Sequence, residues 1–374
     1  MDQMPRILRT AVGDVKLQRT EKGLHYERYL KHVVGMGEAR KGTPAYELWM
    51  RANEGVVSQK STPGQVHVSA VMTNLSVQYA NDEFIGLRLM PIISTGGKLT
   101  ATFFQYPKRE RFAYPDDSMA GHRATANELN QTRTTDSVAL TPRALREFVD
   151  ETTIRNQDAP LNELLDAQQN VLEGMHFLQE KRIAALVQAQ ASYPAGNRVQ
   201  LSGTDQWSDA ASTPITDILN ATASVFRGRG PARLVGWTSL EVWNVLRQHA
   251  DILDLFKFSG SSPGLATPDM LAQWFDLDEL IIGRAREDTA NIGQTETYGR
   301  IWGKHFGVAR VAIAPSIRNA SLGFTFQDRQ GAETDTVFES VRGMDGGWWS
   351  RSKFADQAKI IAADTSFLIE DAVA

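Results

Sequence analysis

The 374-residue chain contains no cysteine. Disulfide frameworks, thiolate metal sites and cysteine nucleophiles are therefore excluded, and the chain is compatible with a reducing compartment. No run of about 18 apolar residues is present, so no transmembrane helix is expected. The opening residues, MDQMPRILRTAVGDVKLQRTEK, lack the apolar segment of a secretory signal. A basic excess is also missing. The net charge of −4 argues against a dedicated nucleic-acid binder. The balance is uneven, however: residues 1–60 hold 11 Lys and Arg against 7 Asp and Glu, and the remainder holds 29 against 37.

Catalytic signatures are absent from the sequence as well. There is no phosphate-binding P-loop and no serine elbow. The Gly228-Arg-Gly230 pair follows a helical pattern and precedes a strand, the reverse of a dinucleotide loop. The seven histidines show no metal-ligand spacing beyond His25 and His32, seven apart with no third ligand. Asp276, Asp278 and Glu279 lack the glycine and terminal glutamate of a calcium loop and read as a polar entry into a buried strand. Gly343 to Trp349 read as a turn between strands. No catalytic, metal or cofactor site is expected. No repeat of 20–50 residues is apparent, which excludes solenoids and propellers.

Hydrophobic residues at 42% and charged residues at 22% are ordinary for a globular protein, and the length implies two or more domains. Residues 1–70 read as a polar, glycine-containing arm in which Tyr46, Trp49 and Met50 share a helical face suited to docking. An apolar segment with Phe84, Ile85, Leu87 and Leu89 follows and ends at Pro91. Residues 92–150 read as a long β-hairpin with a polar tip, opened by Gly96-Gly97. The tail Arg146–Glu151 fits a strand or a short helix. Apolar residues from Leu161 to Val187, at spacings of three and four, predict one helix over about 158–190, roughly 42–45 Å long, with Pro160 in its first turn and Gly174 as a possible bend. Residues 214–320 read as a compact α/β unit, with helices after Thr213, Ser239 and Thr267 and strands at RLVGW and ELIIG. Strands return in 321–374.

One stretch poses a choice. In FFQYPKRERFAYPDDS, Phe103–Ser118, rings stand close to Lys108, Arg109 and Arg111, as in a nucleic-acid surface. The local charge nonetheless sums to zero over Lys108, Arg109, Glu110, Arg111, Asp116 and Asp117. A groove for nucleic acid needs sustained positive charge. Packing and pairing with protein is the better reading.

The order of elements is arm, long two-stranded loop, very long helix, compact α/β unit and terminal strands. With the segments NLSVQYANDEFIG and Leu89-Met-Pro91, and the Asp158-Ala-Pro start of the helix, this resembles the major capsid proteins of tailed bacteriophages, the Hong Kong 97 fold family. The resemblance implies an α+β capsid fold. Residues 1–70 become an N-terminal arm, 71–91 the start of a peripheral domain, and 92–150 an extended loop. Residues 151–213 carry the spine helix, 214–320 form an axial domain, and 321–374 return to the peripheral domain. It implies self-assembly into hexamers and pentamers around double-stranded DNA, with weak non-specific contact to that DNA. Scaffolding, portal and decoration proteins are further partners, assembly takes place in the host cytoplasm, and no membrane is involved. The expected inter-subunit residues are Phe103, Phe104, Tyr106, Lys108, Arg109, Arg111, Phe112, Tyr114, Asp116 and Asp117 of the extended loop. Tyr46, Trp49 and Met50 are those of the arm. The alternatives are an encapsulin-like nanocompartment shell and a soluble α/β enzyme.

Overall fold

The computed structural model describes residues 6–10, 13–17, 19–20, 23–24, 81, 83–118, 125, 127–129, 132–157, 161–257, 266–291, 293–314, 319–329 and 331–374. The chain divides into two units, 1–76 and 77–374. In the first, β1 (Arg6–Thr10) pairs antiparallel with β2 (Gly13–Leu17), and β3 (Arg19–Thr20) with β4 (Gly23–Leu24). Tyr46, Trp49 and Met50 lie outside the described residues.

The second unit is α+β. Among its described residues the first helix is α1 (Gly86–Leu89); Leu89 and the flanking Ile85 and Met90 are buried. After β5 (Ile92–Ser94), Gly96 and Gly97 turn the chain at φ of 68° and 83°, angles that only glycine adopts without cost. Strands β6 (Thr100–Gln105) and β7 (Thr134–Ala139) then form an antiparallel hairpin. Where the sequence suggests strand throughout, a helical turn, α2 (Arg109–Phe112), caps the outgoing arm. Strand β8 (Thr141–Asp150) follows β7 after the single residue Leu140. The ambiguous tail is therefore strand, and α3 (Glu151–Asn156) begins directly behind it.

Helix α4 (Glu163–Gln188) has 26 residues and spans about 39 Å. It starts three residues beyond Pro160 because Asn162 caps it, its side chain accepting from the Leu165 N–H at 3.2 Å. Ala167, Val171, Met175, Ile183, Ala184 and Val187 form its buried stripe, together with Gln179 and Glu180. Leu165 and Leu178, which share the same periodicity, are instead 47% and 40% exposed, so the helix carries apolar groups on its outer side too. Gly174 is a point of close approach: a Cβ there would stand 3.2 Å from Cδ1 of Leu145.

Strand β9 (Arg198–Gln200), helix α5 (Pro214–Ser224) and strand β10 (Ala232–Ser239) come next. The helix expected after Ser239 is two helices, α6 (Leu240–Leu246) and α7 (Ala250–Lys257). Ser239 caps the first at Val242, and tight turns from the N–H groups of Gln248 and His249 end it. The His249 Nδ1 accepts from the Asp251 N–H at 3.3 Å and starts the second. Thr267 caps α8 (Pro268–Trp274), the Thr-Pro start that the sequence suggests. The remaining strands are β11 (Glu279–Gly283), β12 (Arg286–Asp288), β13 (Tyr298–Arg300), β14 (Phe306–Ala312), β15 (Gly323–Gln327), β16 (Glu333–Glu339), β17 (Gly347–Ile360) and β18 (Ser366–Glu370).

Two sheets organise this unit. One runs β11-β10-β14-β18-β9. It is buried on both faces: Leu234, Leu280, Val308 and Ile369 face Trp207, Ile218, Trp243 and Phe275, while Val235, Trp237, Ile281, Val311 and Leu368 face Ile183, Val187 and Trp302. Such a sheet needs continuous apolar strands, as ELIIG and SFLIE are. The same demand explains why β18, grouped by sequence with 321–374, pairs with β14 and β9 rather than joining the other terminal strands. The second sheet is built on the 14-residue β17. One edge of β17 carries β8 over ten residues, and the other carries β16 and then β15, with β5 beyond.

Candidate inter-subunit interface

Hairpin β6–β7 stands on the edge of the second sheet. Its base is fixed. The Leu140 N–H donates to the Leu99 carbonyl at 2.8 Å, and the Phe103 ring stacks on Phe326 at 5.8 Å between centroids. Val138 is buried beside them. Lys359 reaches Asp136 at 2.7 Å, and this hydrogen bond holds the Asp136 carboxyl below the usual carboxylate range. Side chains alternate along β6, so Ala101 and Phe103 face the sheet while Thr102 and Phe104 face away. Phe104 is 54% exposed, with the Arg133 guanidinium 5.1 Å from its ring centre.

Among the described residues, the tip is closed by polar contacts. Glu110 accepts from the Thr132 N–H at 2.6 Å and from its hydroxyl at 2.5 Å, tying the two arms together. Asp116 accepts from the Ser118 hydroxyl at 2.7 Å and the Ser118 N–H at 3.1 Å, which lowers its carboxyl below the ordinary value. The tip also touches its own subunit. Lys108 pairs with Asp364 at 2.5 Å and lies 4.5 Å from the centre of the Phe226 ring, and Phe112 meets that ring edge-on at 5.5 Å. Phe112 and Tyr114 each remain 62% exposed. Arg109 and Asp117 are exposed and Tyr106 is half-buried. The side chain of Arg111 lies outside the described residues.

Of the residues singled out by sequence, Phe103 thus packs inside its own subunit, while Phe104, Phe112 and Tyr114 present their rings outward. Sequence reasoning missed the receiving residues Phe226, Phe326, Lys359 and Asp364. Phe226 reads as the inward side of α5, but that helix ends at Ser224. Nothing local in the sequence marks the others.

The isolated carboxylates are occupied structurally. Asp276 pairs with Arg227, Asp278 accepts from the Leu234 N–H, and Glu279 pairs with Arg88 and Arg233. Among the described residues, no group of three His, Cys, Asp or Glu side chains is placed to hold a metal ion. A cleft of about 400 Å³ opens between α4 and β17, and its two cations, Arg143 and Arg182, are both already paired with Asp356.

No family model matches the sequence. The chain is 27% identical over 306 residues to the major capsid protein of Pseudomonas phage JBD67, covering 81% of this chain and 96% of the phage protein. A phage-related protein from Bordetella bronchiseptica RB50 superposes with a TM-score of 0.60 at 20% identity, over 79% of this chain and 94% of the other. The capsid structure of cyanophage P-SCSP1u superposes with a TM-score of 0.53 at 10% identity, over 90% of this chain and 97% of the other. The fold is the Hong Kong 97 capsid fold. Within that class the chain is a phage head-shell protein, a relative of phage major capsid proteins that is structural rather than enzymatic and acts in many copies.

Proposed function

We propose that the chain forms hexamers and pentamers that close into the icosahedral head of a tailed bacteriophage around double-stranded DNA. Residues 92–150 form the loop that reaches over a neighbouring subunit, α4 is the spine of a peripheral domain, and the β10-centred unit is the axial domain. The observation that carries this reading is the outward ring face of the hairpin. Phe104, Phe112 and Tyr114 are all more than half exposed on a two-stranded element too small to be stable alone. A neighbouring copy that covers those rings makes a heterologous contact, and rotation closes such contacts into rings. The acidic body suits a container, since a strongly basic lining would hold the polymer too tightly. Assembly takes place in the host cytoplasm with scaffolding, portal and decoration partners.

Negative-stain microscopy of the purified chain tests this reading. Closed particles or isolated five- and six-membered rings are expected. Deleting Ser94–Ser137 is expected to leave a folded subunit that builds neither. Normal shells from the deletion would sink the loop assignment.

A further inference from the structure

Hairpin β6–β7 is held in two unequal ways. Its base is stacked, hydrogen-bonded and paired through Phe103, Leu140 and Asp136. Among the described residues, its tip rests on the body through the Lys108–Asp364 pair, Lys108 over Phe226, and Phe112 against Phe226. All three are open to solvent, with Phe112 at 62% exposure. The surface that receives the tip is firm by contrast. The Phe226 N–H donates to the Asp364 carbonyl at 2.9 Å, and Asn197 donates to that carbonyl at 3.3 Å and to the Ser366 carbonyl at 2.9 Å.

We propose that this contact is an assembly latch. In the free subunit the tip is parked on its own Phe226–Asp364 surface, and it leaves when a second copy of the chain takes up the exposed face of the hairpin. The inference rests on the reading that this loop contacts a neighbour. A tethered tip meets its own surface at an effective concentration of about millimolar, so at micromolar protein the parked state wins over a single neighbour. Closure of a ring, in which every subunit gains a contact at once, reverses the balance. Salt weakens the exposed Lys108–Asp364 pair and favours release.

Because the chain has no cysteine, Phe112→Cys with Phe226→Cys introduces its only two thiols. Bridging them with a thiol-cleavable bismaleimide locks the tip down. Bridged protein is expected to remain as free subunits under assembly conditions, and cleaving the bridge is expected to restore the shell yield of the unbridged variant. Shells from bridged protein at the unbridged yield overturn the latch. Asp364→Ala supplies an independent arm, since it removes the ion pair while its backbone carbonyl still holds Phe226. Its initial assembly rate is expected to rise about two- to fivefold, the worth of one exposed pair. An unchanged or slower rate overturns the latch as well. The Ser94–Ser137 deletion separates the two ideas: shells from that deletion overturn the loop reading itself, whereas no shells from it together with shells from bridged protein overturn only the latch.

Discussion

Helix α4 meets its neighbours through buried acids, and the hairpin meets the body through exposed ones. Glu180 accepts from the Ile85 N–H at 2.9 Å, the Gly86 N–H at 2.7 Å and the Trp302 Nε1–H at 2.7 Å. Asp356 on β17 accepts from Arg143, Arg182 and Gln179, and is almost wholly buried. Each of these carboxylates ties α4 to another part of the unit, and losing either leaves donors stranded. Where the hairpin meets the body, Asp136 of the hairpin faces Lys359 and Asp364 of the body faces Lys108, both at the surface. Exposed pairs of this kind contribute little, because solvent screens them. The acids that hold α4 are enclosed by the body, and those that hold the hairpin stand at its surface.

The sharpest way to break this contrast is Asp356→Ala. It strands two half-buried guanidinium groups and a buried amide, and is expected to cost about 3–5 kcal/mol in urea unfolding. A loss below about 1 kcal/mol would place Asp356 with the surface pairs instead. Gly86→Ala comes next. Its Cβ would stand 2.6 Å from Glu180 Oε2 and 3.1 Å from Ile183 Cγ2, and that oxygen is held by hydrogen bonds. The expected loss is about 1–3 kcal/mol by the same measurement.

The third test is pH. Burial pushes the Glu180 carboxyl above its ordinary value of 4.5, against the pull of its three N–H donors. The folded chain therefore binds this proton more tightly than the unfolded chain does. The resulting stabilisation is complete below the unfolded value and is lost as pH rises through the folded one. Glu180→Gln should remove that slope, and parallel unfolding midpoints for both proteins between pH 4 and 8 would refute it. The smallest expected effect on the subunit is that of Phe104→Ala, within about 0.5 kcal/mol by thermal unfolding, because the ring is exposed. Its effect on shell yield should be large. If stability falls while assembly stays normal, Phe104 belongs with the body rather than with the interface.

Much of this architecture is legible in the chain because it follows local periodicity. The long helix, the strands RLVGW and ELIIG, and the capping roles of Ser239 and Thr267 all follow from short-range spacing or short continuous apolar runs. What escapes the sequence is whatever depends on partners far along the chain. Leu165 and Leu178 match the helical apolar spacing yet face outward, because only the packed sheet decides which side of α4 is inside. The split between α6 and α7 depends on turns around His249 that a continuous apolar pattern conceals. The candidate interface was half legible: the hairpin and its rings can be read from residues 100–118, but their receivers, Phe226, Phe326 and Asp364, are separated from them by more than a hundred residues.

The sequence by itself determined the exclusions, the long helix, the hairpin and the α+β order of elements, since composition and short-range spacing act on a chain before it folds. Tertiary structure alone decided that β18 leaves the terminal strands for the β14 edge, that Asp356 and Glu180 are buried acids rather than surface ones, and that Phe103 at the base of the hairpin meets Phe326 while Lys108 at its tip meets Asp364. Those outcomes depend on burial and on hydrogen bonds between distant segments, and neither exists until the two sheets have closed on helix α4.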